Sequence, residues 1–482
     1  MMKTQNKKQL AFSLGLLISL SVLFTACMGP TLSVKSENKQ VPASFSNTND
    51  TANVAKTKWR NFFTDANLIA LIDTALQNNQ ELNMMMQEIN VAKFEAKARK
   101  GAYLPFANAF VGAGVDKPGL YTSKGASDAA HDIAPGKKMP DPLSDLVVGA
   151  SVSWEIDIWK KLRNNQKAAV NKYLATVDGK NFMVTQLIAE IANSYYELIA
   201  LDNRLDIIKK NIDLYQQSLE IVKLQKSAAR VTELAVKRFE AELLKNQSLQ
   251  FYIEQQIIET ENKINFLVGR FPQKVNRNAS NFTDIVVDDM QIGIPSQLLQ
   301  NRPDVKQAEK NLIAAKLDVA STKAEFYPSF RITAGAGFNA YNQTYLFKAP
   351  ESLIYGLTGE LVSPLINRNA IKAAYNSAKA KQIQAVYNYE RTILNSHVEV
   401  VNLLNNMANL QKSYELKLKQ VDALNQSIEI ASTLFRSARA DYMEVLLTQR
   451  EALDSRVELI ETKKLQLNAK VNMYRALGGG WN

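Results

Sequence analysis

Residues 147–158 read VVGASVSWEIDI, and every second side chain along this stretch is apolar. The apolar positions are Val148, Ala150, Val152, Trp154, Ile156 and Ile158. The positions between them are smaller or more polar: Val147, Gly149, Ser151, Ser153, Glu155 and Asp157. A period of two predicts a β-strand with one apolar face. A half-buried strand of an ordinary sheet would alternate in the same way, so this pattern alone leaves the surroundings of the apolar face open.

Three other stretches complete a set of four predicted strands, at about 105–115, 147–158, 328–340 and 353–363. They form two pairs, each joined by a polar connection, and roughly ten residues is the length that crosses a bilayer in a tilted barrel. Four strands cannot close a barrel alone, and lipid does not tolerate an open edge. In a barrel the polar positions would face the pore. The candidate pore-lining residues are Ser151, Ser153, Glu155, Asp157, Arg331 and Thr333.

Long helices flank the strand pairs. Apolar residues between Leu187 and Val222 alternate steps of four and three, which is a heptad seam, and a second seam runs from Leu446 to Tyr474 with charged breaks at Arg450 and Lys464. Residues 161–227 contain no proline, so at about 1.5 Å per residue they predict a helix of roughly 100 Å. Such a seam is equally typical of a dimeric coiled coil and of helices packed within one chain.

The chain repeats its order of elements once. The segment 108–114, NAFVGAG, recurs as TAGAG at 333–337, and each follows a proline, Pro105 or Pro328. This period of about 200 residues indicates a duplication rather than a short-repeat solenoid. The predicted organisation is a leader at 1–26, a tether at 27–56, a first repeat at 57–275, a linker at 276–300 and a second repeat at 301–482.

The N-terminus has the features of a lipoprotein leader. Lys3, Lys7 and Lys8 precede the largely apolar run 10–24, which is too short to span a membrane as a helix. The run ends in LFTAC, so we expect cleavage before Cys27 and lipid attachment to that residue. An ordinary signal peptide with an incidental cysteine is the alternative. Removal of the leader lowers the net charge from +11 to +8, with 55 basic and 47 acidic residues remaining.

Composition argues against an enzyme or a metal site. The 482 residues include two histidines and one cysteine, too few for a metal cluster or a Cys/His nucleophile. The sequence shows no Ser/His/Asp constellation, since His131 falls in a predicted loop and His397 within a helix. The run Met84–Met86 is more typical of helix packing than of metal export. We therefore expect no catalytic residue, no resident metal and no cofactor.

Several short motifs have local structural interpretations. Pro303 suits the first turn of a helix, and Gly269 and Gly478 suit helix C-caps. For Arg302 and Asp304 we expect a solvated helix cap rather than a buried ion pair.

Taken together, the motifs resemble the TolC-like outer-membrane efflux proteins, in their OprM-type lipoprotein branch. The resemblance runs from about Trp59 to the C-terminus. It is carried by SWEIDIW at 153–159, AEIANSYY at 189–196, IPS at 294–296, RPDV at 302–305 and YRALGGGW at 474–481.

That resemblance implies a mainly α protein with a transmembrane β-barrel portion. Each of three subunits would contribute four strands to a 12-stranded barrel, and the long helices would form an α-barrel in the periplasm. The function implied is a passive exit duct through the outer membrane for drugs or other toxic small molecules. The implied partners are two further copies, a periplasmic adaptor, an inner-membrane pump of the resistance-nodulation-division (RND) type and outer-membrane lipid, with no nucleic acid.

The same resemblance implies a gate at the periplasmic end of the helices. The turn 435–447 matches the family's gate region, with Glu444 at the acidic position, Leu447 where some relatives carry a second acid, and Asp441 nearby. Ala438 replaces a glycine that is usual in the family. Three other functions remain open from the residues: a duct for type I protein secretion, metal-ion efflux, and a lipid-anchored periplasmic coiled-coil adaptor.

Overall fold

The computed structural model describes residues 30–32, 34–45, 51–280, 282–287, 290–437 and 439–481. The main helices are α1 (Ala66–Asn78), α2 (Gln80–Gly101), α3 (Lys161–Ser227), α4 (Glu233–Val268), α5 (Pro303–Ala324), α6 (Asn369–Arg436) and α7 (Tyr442–Ala476). The main strands are β1 (Phe106–Asp116), β2 (Leu143–Ile156), β3 (Ser329–Ala340) and β4 (Leu353–Val362). Short helices occupy Val54–Lys56, Trp59–Phe62, Ser123–Ala130, Phe282–Asp284, Pro295–Gln297, Leu298–Asn301 and Gln343–Leu346, and a small hairpin pairs Asp132–Ala134 with Lys137–Lys138.

The chain divides into two compact units. A sheet unit comprises 91–173 and 310–386 together with the described residues before position 37. A helical unit comprises 37–90, 174–309 and 387–482 where the structure describes them. Within the described residues no helix is both long enough and apolar enough to cross a membrane.

The order of elements confirms the duplication. In each half a helix leads into two strands, then into a very long helix of 67 or 68 residues and a shorter one of 36 or 35 residues. The ends of the halves also match in detail, since Gly269 and Gly478 have φ angles of +76° and +93°. A Cβ on Gly269 would lie 2.5 Å from the Asn78 carbonyl oxygen, and one on Gly478 would lie 2.7 Å from that of Asn301. Glycine is therefore required twice for the same reason: a left-handed turn packed against another helix end.

The four strands form one antiparallel sheet in the order β1-β2-β3-β4. Strand β2 begins at Leu143, earlier than the sequence pattern suggested, because 143–146 continue to pair with β1. It ends at Ile156, so Asp157 lies beyond the strand. Neither outer edge of the sheet, on β1 or on β4, has a partner strand in the described part of the chain.

The heptad seam of α3 is confirmed as the core of the helical unit. Most of its members are buried, and Ile191, Leu198, Ile208, Tyr215 and Val222 are completely inaccessible to solvent. They pack against α1, α4 and α7 of the same chain, which selects intrachain packing over a dimeric coiled coil as the role of this seam.

Helix α7 is buried more extensively than a single seam predicts. Lys464 is buried because its ammonium group pairs with Glu197 at 2.8 Å and with Glu461 at 2.6 Å. Arg450, the other charged break, is exposed. Polar Gln449 and Gln466 are also buried, and their amides donate to Ser218 of α3 and Gln411 of α6. Helix α7 therefore has helical neighbours on more than one side.

The described part of the expected tether packs against α6. In the sheet unit, the fully buried Gln382 side chain donates to the Lys35 carbonyl at 2.8 Å and accepts from the Lys35 amide at 3.1 Å. In the helical unit, Phe45 stacks on His397 with 5.4 Å between ring centroids, and Ala55 is buried. His397 thus has a packing role.

Candidate functional site

Strand register separates the sheet into two chemically distinct faces. Because antiparallel partners point to the same side, side chains of all four strands can be assigned to one face or the other. The apolar face comprises 107, 109, 111, 113 and 115 of β1, the even positions 144–156 of β2, the even positions 330–340 of β3 and the odd positions 353–361 of β4. No charged residue occurs among them. The polar face carries the remaining positions and all the charges of the strands.

Aromatic residues mark the end of the apolar face nearest the helices. The Trp154 indole N–H donates to the Tyr103 carbonyl at 3.0 Å, and that of Trp159 donates to the Pro328 carbonyl at 2.8 Å. Trp159 also stacks on Tyr327, with 4.8 Å between centroids, and both indoles are more than a third exposed. Partly exposed tryptophan with a satisfied N–H is typical of the boundary between hydrocarbon and water.

Glycines crowd the centre of the polar face. Gly149 and Gly337 are register partners on β2 and β3. A Cβ on Gly337 would lie 2.4 Å from the Val148 carbonyl oxygen, and one on Gly149 would lie 2.8 Å from that of Ala336. Side chains added at these two positions would collide with the neighbouring strand, so glycine is required where β2 and β3 meet at the centre of the polar face.

The structure brings five of the six predicted pore-lining residues onto the polar face. Ser151, Ser153 and Glu155 follow one another on β2, and Arg331 and Thr333 are the β3 partners of Glu155 and Ser153. Arg331 Nη2 lies 3.8 Å from Glu155 Oε2, and Glu155 also pairs with Lys161 at the start of α3.

Asp157 was assigned wrongly to the strand. Its side chain is only 3% exposed, and its two carboxylate oxygens accept the backbone N–H groups of Leu162 and Arg163, each at 2.9 Å. These N–H groups belong to the first turn of α3, where no intrahelical acceptor exists. Asp157 therefore starts the long helix. The alternation of side chains continued through this residue, which is why the sequence could not separate it from the strand.

The expected gate residues lie at the start of α7. Asp441 precedes the helix as its N-cap, and Glu444 and Leu447 follow at intervals of three, so the three residues share one side of the helix. Glu444 is exposed and Leu447 is 47% exposed, whereas Val445 and Leu446 are buried against Phe435, α3 and α4. The exposed side of α7 is thus free to meet solvent or another subunit. Ala438 and Cys27 lie outside the described residues, so lipidation of Cys27 stays a prediction.

Sequence reasoning missed the buried arginine of the helical unit. The Arg302 side chain is 9% exposed, and its guanidinium makes a bidentate contact to Asp304, at 3.0 and 2.8 Å. The same group donates to Glu399 and to the Ala476 carbonyl, each at 2.7 Å. The expectation of a solvated cap was therefore wrong.

Glu399 extends this ion pair into a network. Its second oxygen accepts from Arg475 at 2.6 Å, and Arg475 also donates to the Gln186 side chain. Burial opposes the charge on Arg302, but the hydrogen bonds and negative charge of Asp304 and Glu399 outweigh it and raise the pKa of the guanidinium. A second arginine, the partly buried Arg277, is held in the same way by Asp202 at 2.8 Å and by Glu261.

The model of the family described as outer membrane efflux protein matches residues 71–270 and 294–479, one match in each half of the duplication. The chain belongs to the outer membrane efflux protein family. This confirms the resemblance that the sequence motifs carried.

Individual relatives match over nearly the whole chain. The cation efflux system protein CusC of Escherichia coli is 25% identical over 423 residues, covering 88% of each chain. The probable outer membrane lipoprotein SilC of Salmonella typhimurium is 24% identical over 474 residues, covering 96% of this chain and 98% of its own. The open state of the MtrE outer membrane channel of Neisseria gonorrhoeae superimposes with a TM-score of 0.82 at 20% identity, covering 94% of this chain and 98% of MtrE.

No group of three or more His, Cys, Asp or Glu side chains that could hold a metal ion occurs among the residues that the structure describes. The candidate functional features are the sheet with two distinct faces, the exposed Glu444 at the start of α7, and the ion-pair network of the buried Arg302.

We expect Arg302→Ala to lower the free energy of unfolding by about 3–5 kcal/mol, because it leaves the carboxylates of Asp304 and Glu399 without their shared partner. Arg302→Lys should rescue little, since an ammonium cannot reproduce the bidentate contact. The matched control is Arg60→Ala, which removes an exposed pair with Asp73 and should cost at most about 1 kcal/mol. Thermal unfolding of the detergent-solubilised protein, followed by circular dichroism, measures all three, and equal effects of Arg302→Ala and Arg60→Ala would contradict the assignment.

Proposed function

We propose that this protein is the outer-membrane channel of a tripartite efflux system and provides a passive exit duct from the periplasm. The observation that carries the proposal is the division of the four-stranded sheet into a charge-free face and a glycine-rich polar face. Family membership supports it independently. An uncharged face with aromatic residues at its border suits contact with lipid, and the opposite face suits a water-filled lumen.

The unpaired edges of the sheet support assembly from several copies. Strands β1 and β4 each leave a row of backbone N–H and C=O groups without a partner strand in the described chain. In hydrocarbon each such group costs several kcal/mol, and the cost disappears when β4 of one copy pairs with β1 of the next. Three copies would close a barrel of twelve strands, wide enough for an aqueous lumen. The duct is then a property of the trimer.

The helical unit would lie in the periplasm. The helix ends at 224–233, 434–437 and 439–447 expose polar residues while burying a shared apolar cluster, so they form a stable end that another protein could contact. We propose that a periplasmic adaptor binds here and connects the duct to an inner-membrane pump of the RND type.

The cargo class we propose is toxic small molecules. CusC, as its name states, belongs to a cation efflux system, so metal cations are the second candidate cargo. Selection by a duct depends on its width and lining charge rather than on a closed pocket.

Deletion of the gene should cause hypersensitivity to a panel of hydrophobic drugs, dyes and solvents, with restoration by the wild-type gene. Growth inhibition measured alongside silver and copper salts separates the two cargo classes. A deletion strain with unaltered sensitivity to both panels, but lacking a secreted protein in its medium, would contradict efflux and indicate type I secretion.

Two adjacent residues of β4 test which face meets lipid. Leu357 lies on the apolar face and Thr358 on the polar face, and both are exposed in the single chain. We expect Leu357→Arg to prevent assembly in the outer membrane, because a charge near the middle of the hydrocarbon costs about 2–4 kcal/mol per copy. Thr358→Arg, the matched control, should assemble. Membrane fractionation and chemical cross-linking of trimers give the readout, and the reverse result would mean that the faces are inverted.

A further variant tests the proposed gate at Glu444 and Leu447. The double variant Glu444→Gln, Leu447→Ala removes a charge and shortens an apolar side chain on the exposed side of α7. Because these side chains would narrow the duct, the variant should raise single-channel conductance in planar bilayers. Glu220→Gln removes an exposed charge from α3 and serves as the control. Unchanged conductance of the double variant would show that these residues do not obstruct the duct.

A further inference from the structure

Charges on the polar face are confined to its two ends. Near the loops it carries Asp116 and Asp145, and near the helices it carries Glu155, Arg331 and Glu360. Between these ends the polar face contains only glycine, serine, threonine, asparagine and a few apolar side chains. A solute passing along the face would therefore meet fixed charge in two bands.

The band near the helices is one continuous row across three strands. Register pairs Glu155 of β2 with Arg331 of β3, and Arg331 with Glu360 of β4. The acids on the two sides of Arg331 are not equivalent, however. Glu155 contacts both Arg331 and Lys161 and is largely covered, with 22% of its side chain exposed.

Glu360 differs from Glu155 in its exposure and in its ion pairing. It is exposed, and no ion pair to it within 4 Å occurs among the described residues. Two cations thus contact Glu155, whereas Glu360 lies on the polar face without an ion pair in the described chain. A carboxylate that is not held in an ion pair attracts positive solutes, and a confined low-dielectric surrounding strengthens its field. Arg331 on the neighbouring strand weakens the field of Glu360 without pairing with it.

We propose that Glu360, positioned beside Arg331, forms a cation-selecting ring at the helix-facing end of the barrel. The inference rests on the proposed function, because the ring exists only when several copies close. The class of solute favoured is small organic or inorganic cations. This ring is separate from Glu444 of α7: Glu360 belongs to a strand of the sheet unit, and its effect would add to that of any gate.

The test is the reversal potential of the full-length protein in planar bilayers under a potassium chloride gradient. Glu360→Gln should lower the permeability ratio of potassium to chloride by roughly two-fold, because each copy loses a negative charge that is not held in an ion pair. Glu360→Asp keeps the charge and should keep the ratio. Arg331→Gln removes the neighbouring cation and should raise the ratio.

The outcomes separate this inference from the proposed function. Channels that conduct normally but show the same ratio in Glu360→Gln and wild type would overturn the ring while leaving the duct intact. A ratio that changes only in Glu444→Gln would also overturn it. The wild-type protein and the Glu444→Gln, Leu447→Ala double variant are both measured after correct insertion. If neither conducts ions, both the duct and the ring are refuted.

Discussion

A strand edge cannot face hydrocarbon without a hydrogen-bonding partner, and the architecture of this protein follows from that constraint. Its sheet has an uncharged face that suits lipid, yet β1 and β4 end the sheet, and neither outer edge has a partner strand among the residues that the structure describes. One chain therefore supplies both faces that a membrane barrel needs but too few strands to close the barrel. In the proposed trimer, pairing with further copies would satisfy both the apolar face and the open edges, and the lumen would lie between subunits rather than within one.

The helical unit meets a different requirement, which is to hold very long helices in one arrangement. It does so with heptad seams that form its core and with two ion-paired arginines, Arg277 and Arg302. Arg302 ties the start of α5 to the end of α7 through the Ala476 carbonyl and to α6 through Glu399. Buried ion pairs contribute little net stability compared with apolar packing, but they tolerate few alternative geometries. Their value here is in fixing how the helix ends meet.

Periodic features of the sequence predicted the structure well. The steps of four and three from Leu187 to Val222 identified the core side of α3, and the alternation at 147–158 identified the two faces of β2. Both patterns arise from local geometry, because helix and strand each repeat within a few residues. Prediction failed where a single residue's role depends on distant neighbours. Asp157 continues the strand pattern but caps a helix, and Arg302 has the sequence context of a surface cap although Glu399 and Ala476 bury it.

The sequence alone thus determined the class of protein, the duplication, the four strands and which side chains share a face. These properties follow from the periodicity and composition of the sequence, and both can be read without knowing the fold. Only the tertiary structure decided which charges are neutralised. Glu155 and Glu360 are both acids at strand ends, yet Lys161 and Arg331 surround the first, while the second has no ion-pair partner in the described chain. Arg331 is the strand partner of both acids, so the distinction depends on which of them the side chains of Arg331 and Lys161 contact. A periodic pattern carries no information about such contacts.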